Sequence, residues 1–300
     1  MPHHGAVPLP GFEDGRCAVG EANYYFARGG DGPPLLLLHG FPETHLCWRR
    51  VAPQLARTHS VVAPDLRGYG ASEAPAGGPR GEGYTKRDVA RELVEVMAAC
   101  GHQRFAVVGH DRGARVAYRL ALDHPERVTR VALLNVVPTI DQFERMGAGP
   151  SLGYWTWFLL AQPAPFPERM IGGDPAGLLD HVFASWASNP DAIGPKARDA
   201  YRRAMTSSTI AAMCADFRAS FYVDREHEAD DRAAGRRISV PVLLVVGEDE
   251  TQLADAPGVW SAWSEDLASI QVPGGHFFPE ESPEALAEAL GVFLDKDAAS

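Results

Sequence analysis

Cysteine is scarce in this chain, and basic residues are outnumbered by acidic ones. The four cysteines, Cys17, Cys47, Cys100 and Cys214, have neither CxxC spacing nor the density of a disulfide framework. That excludes a stapled secreted scaffold and reads as free thiols in a reducing compartment. Twenty-eight Lys and Arg stand against 39 Asp and Glu, a formal net charge of -11, so the basic footprint of a nucleic-acid or anionic-membrane partner is missing. No apolar run reaches the length of a membrane span, and the opening MPHHGAVPLPGF lacks the basic-then-apolar order of a secretory leader. The expectation is therefore a cytoplasmic protein with no nucleic acid and no membrane as partner. His3 and His4, adjacent near the start, alone make a poor metal site and are expected to be a plain chain end.

What is present is an alternation. Three hundred residues, 45% of them hydrophobic, suffice for one large globular domain or a domain with a sizeable insertion. Short apolar runs at PLLLLHG, SVVAPDL, RFAVVGH, RVALLNVV and VPVLLVVGE read as buried strands separated by helices such as KRDVARELVEVMAACG, whose Val89, Leu93, Val96 and Met97 recur at helical spacing before Gly101. Such an order predicts an α/β protein with a mostly parallel sheet flanked by helices. From Pro138 to Arg236 buried-strand signals vanish and aromatic clusters such as YWTWFLL appear. The reading is a core over 1–137, an inserted helical cap over 138–236, and the rest of the core over 237–300.

GHDRGAR, residues 109–115, follows one of the strands and opens a helix. It matches the small-x-nucleophile-x-small turn that lifts one side chain above a sheet, with Asp111 at the position where serine is common. HGFP at 39–42 follows the first buried strand, where this architecture places an oxyanion-hole amide, and GGHFFPEE puts His276 where it places the base. An aspartate nucleophile suits attack on an sp3 carbon bearing a halide or an epoxide oxygen. The resulting ester has its carbonyl on Asp111, so water activated by His276 can attack it while the amides of Phe41 and Arg112 hold the oxyanion. Carboxylate, imidazole and amides supply every step, so no metal or organic cofactor is called for.

HGFPETH, GHDRGAR, AQPAPFPE with GGDP, and GGHFFPEE together resemble the fluoroacetate, or haloacetate, dehalogenases of the α/β-hydrolase fold over nearly the whole chain. Arg112 and Arg115 lie three apart where a helix N-terminus already carries positive charge, so an anion should compensate. A salt bridge to a cap acid is one answer. The resemblance implies another, a clamp on the substrate carboxylate, and a buried unpaired donor costs on the order of 1 to 3 kcal/mol, which favours a carboxylate over a neutral epoxide. The resemblance also implies a halide pocket of His, Trp and Tyr, whose positions here hold Thr156, Trp157 and Tyr222, and a homodimer. Where the family places the acid that orients the base, this chain has Asn135. Glu250 and, second, Asp249 are the substitutes that follow the strand ending at Gly247. The expected activity is hydrolysis of a small-molecule 2-haloacid to a 2-hydroxy acid. An epoxide hydrolase is the alternative, with Tyr154 as a second acid if the cap register is shifted, and a noncatalytic carboxylate binder is the third reading.

Overall fold

The structure, a computed structural model, describes residues 7–295. His3 and His4 lie outside them. Eight strands form one sheet, in the order β1-β2-β4-β3-β5-β6-β7-β8. They are β1 (Glu13–Val19), β2 (Ala22–Gly29), β3 (Pro34–Leu38), β4 (Ser60–Pro64), β5 (Phe105–His110), β6 (Val128–Leu134), β7 (Val242–Gly247) and β8 (Leu267–Val272). The pairs β1/β2 and β2/β4 are antiparallel and the remaining neighbours parallel.

The five apolar runs form β3 to β7, and each is buried over most or all of its length. Three strands carried no such signal. β1 and β8 are the sheet edges, where one or two residues at most face the core, so no apolar run is needed. In β2 the buried Tyr24 and Tyr25 alternate poorly with Asn23 and Arg28, and both hydroxyls are polar anchors, to Glu92 at 2.7 Å and Asp14 at 2.6 Å.

Helices α1 (Ala52–Leu55), α2 (Lys86–Ala99) and α3 (Arg112–Asp123) belong to the first part of the sheet. α2 starts where Thr85 accepts the Asp88 amide, and it buries Val89, Leu93, Val96 and Met97. Between β6 and β7 the chain is helical: α4 (Thr139–Glu144), α5 (Ala148–Gly153), α6 (Trp155–Leu160), α7 (Phe166–Gly173), α8 (Pro175–Trp186), α9 (Pro195–Ala204), α10 (Ser207–Ala219), a π-helical turn over Ser220–Asp224, and α11 (Arg225–Ala233). After β7 come α12 (Ala256–Trp263), α13 (Phe278–Glu281) and α14 (Pro283–Leu294). No described helix is long and apolar enough to cross a membrane.

Candidate active site

Backbone crowding makes the turn after β5. A Cβ on Gly109 would lie 2.4 Å from the Gly113 carbonyl oxygen, and one on Gly113 would lie 2.4 Å from that of Leu38. With β5, α3 and β3 pressed this close, Asp111 is forced to φ 48°, an uncommon conformation for a side-chain-bearing residue. Its carboxylate projects into a cavity of about 280 Å3 also lined by Phe41, Arg115, Asn135, Thr156, Trp157, Asp249, Glu250 and His276. The Phe41 amide donates to Asp111 Oδ1 at 2.8 Å. Burial works to raise the Asp111 carboxyl, but His276, Arg112, His110 and the Phe41 amide hold it below the usual range. Asp111 is ionised, with one oxygen anchored.

The other oxygen, Oδ2, stands 3.9 Å from His276 Nε2, a buried nitrogen without a hydrogen-bond partner among the described residues. Burial, then His110 and Arg115, push this imidazole down to about 3 against the pull of Asp111. It is a neutral base facing the nucleophile. On its far side Glu250 Oε1 lies 3.7 Å from Nδ1. Burial, with Glu281, Asp111 and Asp249 adding to it and His110 opposing, pushes Glu250 up to about 7. Asp249 is turned away: its Oδ2 accepts the Ser188 hydroxyl at 2.6 Å.

Asn135, a candidate for supporting the base, does not face the imidazole ring. At φ 50°, a conformation Asn tolerates better than most residues, its Nδ2 donates to the carbonyls of Gly275 and His276 at 3.1 Å, and its Oδ1 accepts the Gly247 amide at 2.9 Å. It braces the end of β7 and the His276 loop. His110 braces the same loop, with Nε2 2.7 Å from the His276 carbonyl, and His39 Nε2 accepts the Leu66 amide at 2.9 Å.

The two arginines part company. Arg112 is fully buried and absent from the cavity wall: Nε donates to Asp216 at 2.6 Å and Nη2 to the Asp216 carbonyl and Ser220 at 3.0 and 2.6 Å. Asp216 also binds Lys86 and accepts the Tyr69 hydroxyl at 3.1 Å, and Asp224 Oδ2 lies 3.9 Å from Lys86. Two cations and two anions therefore balance inside one clasp between helical insert and sheet. Of the two answers to the Arg112 charge, the structure holds the salt bridge to an acid of the insert, Asp216, while the buried Arg112 Nη1 has no hydrogen-bond partner among the described residues. Arg115 reaches the cavity and donates from Nη1 to the neutral Val137 carbonyl and Thr139 hydroxyl, both at 3.0 Å, while its buried Nε has no partner among the described residues. The Trp157 indole lies between the guanidiniums, 4.8 Å from Arg112 and 4.6 Å from Arg115.

Tyr222 is a correction. It falls in the π-helical turn, whose wider winding alters helical phase, and its ring lies 5.9 Å from the Arg80 guanidinium, away from the cavity. Tyr154 lines the cavity instead, beside Gln142. Sequence reasoning also missed Trp186, whose carbonyl accepts the His276 amide at 2.9 Å and whose ring stands edge-on to the imidazole at 5.2 Å. It missed Phe217, packed on Phe41 and Trp157, each at 5.3 Å. Neither sits in a motif. For Asp216 the one available signal was the demand of two helix-N-terminal arginines for a counter-ion, which does not say which acid answers.

The model of the α/β hydrolase fold matches residues 33–283. The chain belongs to the α/β-hydrolase family. Its resemblance to the fluoroacetate dehalogenases holds over its length: it is 39% identical to the fluoroacetate dehalogenase of a Burkholderia species, over 95% of this chain and 94% of the other. It is 28% identical to the soluble epoxide hydrolase of a Corynebacterium strain, over 90% and 93%. A Pseudomonas aeruginosa structure described provisionally as an epoxide hydrolase superposes with a TM-score of 0.90 at 43% identity, over 96% of this chain and 97% of that one.

Proposed function

We propose that this α/β hydrolase cleaves carbon–halogen bonds in small 2-haloacids. The observation that carries the reading is Arg115, a guanidinium at the cavity wall beside Asp111 whose hydrogen bonds go to neutral acceptors. Glu228 acts on it only through space, and a substrate carboxylate would supply a directly bonded anion through charge-assisted bonds of roughly 1.5 to 3 kcal/mol. A neutral epoxide supplies none. The 39% identity to a fluoroacetate dehalogenase points the same way.

In this reading Arg115 turns the carboxylate so that the adjacent carbon faces Asp111 Oδ2. Asp111 Oδ2 attacks in line, a C–O bond forms, and halide departs with the C–X electron pair toward Thr156 and Trp157. His276 Nε2 then takes a proton from water as its oxygen attacks the Asp111 carbonyl carbon, and the Phe41 amide, already on Oδ1, holds the developing oxyanion with the Arg112 amide. Collapse expels the 2-alkoxide, which takes the proton from the imidazolium to give the 2-hydroxy acid, and Asp111, left as the acid, returns to the carboxylate by losing its proton to water. An ionised Glu250 stabilises that imidazolium.

Epoxide hydrolysis is the second reading, favoured by Tyr154 on the cavity wall and by the epoxide-hydrolase relatives. It wants two acidic hydroxyls over the nucleophile, and Tyr222 lies elsewhere. The test is halide release from fluoro-, chloro- and bromoacetate with styrene oxide alongside. Asp111→Asn should lower release by at least about 10⁴-fold, as nucleophile removal does elsewhere. Diol from styrene oxide with no halide from any acid would overturn the proposal.

A further inference from the structure

The cavity is larger than a haloacetate, and part of its wall carries amides and hydroxyls. Its volume of about 280 Å3 is many times the roughly 10 to 15 Å3 that a single water needs. Chloroacetate, with its carboxylate at Arg115 and its carbon at Asp111, leaves the wall beyond Tyr154 without a neighbour. That wall is made by Gln142 of α4, Tyr154 before α6, and Thr251 and Gln252 after β7. Gln142 lies against the Tyr154 side chain. The Gln252 amide packs against Gly153, where a Cβ would lie 2.9 Å from its Nε2. Asp249 and Glu250 on this side are acidic, and the nearby Arg145, which donates to the Gln252 carbonyl at 3.1 Å, is already paired with Asp255, so a second carboxylate would find no free cation there among the described residues while a neutral hydrogen-bonding group would meet amides and hydroxyls.

We propose that the preferred substrates are 2-halo monocarboxylic acids carrying an uncharged hydrogen-bonding arm, such as a primary amide, on the reacting carbon, with Gln142 and Gln252 as specificity-determining residues. The proposal rests on the dehalogenase reading and adds the arm. A substituted carbon is harder to attack in line than that of chloroacetate, so a preference for it has to come from binding energy gained at the remote arm.

Three acids of nearly equal shape separate the possibilities: 2-chloro-4-amino-4-oxobutanoate with an amide arm, 2-chloro-4-methylpentanoate with an isobutyl arm, and 2-chlorobutanedioate with a second carboxylate. Halide release is measured for each and for chloroacetate, with Asp111→Asn as blank. The amide acid should exceed both isosteres in kcat/KM by about tenfold, the value of one net hydrogen bond, and should exceed chloroacetate. Gln142→Leu and Gln252→Leu should each bring the amide-to-isobutyl ratio toward one, a ratio that partial misfolding leaves untouched. An isobutyl acid or dicarboxylate equal to the amide, ratios unmoved by both variants, or chloroacetate turned over faster than all three would overturn the arm and leave the dehalogenase reading standing. No Asp111-dependent halide from any acid would sink both.

Discussion

The sheet wall of the cavity and its helical wall are held in place by different means. Phe41, Asp111, Asn135, Glu250 and His276 follow β3, β5, β6, β7 and β8, each in the segment beyond the C-terminal end of a parallel strand, where open α/β sheets gather their ligands. Pairing of the strands brings these segments together, and Asn135 and His110 then brace the His276 loop. Tyr154, Thr156, Trp157, Trp186 and Phe217 come from the insert, where helix phase and a charged clasp set what faces inward. Tyr222, in a π-helical turn, lies against Arg80 and off the cavity wall. In the proposed reading the first wall supplies the nucleophile and the base, with Arg115 of α3 on the substrate carboxylate, and the second shapes the space around the reacting carbon.

The clasp is where the comparison breaks most easily. Asp216→Ala leaves Arg112 and Lys86 buried with Asp224 as the remaining anion of the clasp, and it should cost about 3 to 5 kcal/mol in urea unfolding. Burial alone would raise the Asp216 carboxyl, but Arg112 and Lys86 outweigh it and push it from 3.8 down to about 2. A depressed carboxyl contributes stability above its ordinary value and loses it as pH falls toward the folded one. Unfolding free energy should therefore drop between pH 4 and 2 in the parent and less in the variant. A loss under about 1 kcal/mol would mean that packing, not charge, seats the insert.

On the sheet wall, Glu250→Gln should lower turnover roughly 10²-fold, less than the about 10⁴-fold of a bonded serine-protease acid, because Glu250 stands 3.7 Å from Nδ1. The pH profile is the sharper readout. With its carboxyl raised to about 7, Glu250 is protonated below and ionised above, so turnover should rise through neutrality in the parent and lie flat in the variant. An unchanged rise would assign that limb to another group.

The five buried strands were legible because burial on both faces demands continuous apolar runs, and the elbow because its glycines answer backbone contacts under 3 Å. Edge strands β1 and β8 face the core too little to leave such a trace. Asn135 shows the limit within the site itself: its position after β6 was legible, but its partners were not, since an amide both donates and accepts where a carboxylate only accepts. Asn135→Asp would set a carboxylate against the carbonyls of Gly275 and His276, which now receive its Nδ2 protons. Stability should fall by about 1 to 3 kcal/mol, with no gain in turnover. A sharp gain would show that the carboxylate swings to the imidazole and that Glu250 is not the supporting acid.

The smallest expected effect sharpens the comparison most, because it changes substrate without touching the chemistry. Thr156 is buried beside Trp157 in the cavity wall, and a hydroxyl can give one donor there where an imidazole gives a stronger, more extended one. Departing fluoride is small and needs its lost hydration replaced, whereas chloride needs room. Thr156→His adds a donor and removes space, so the fluoride-to-chloride rate ratio should rise about tenfold, the worth of one net hydrogen bond, with chloride release itself falling. Side-by-side halide assays on fluoroacetate and chloroacetate read both. A higher chloride rate with fluoride unchanged would mean that Thr156 does not face the departing halide, and the choice of halogen would then pass to Trp157 and to the sheet wall beneath it.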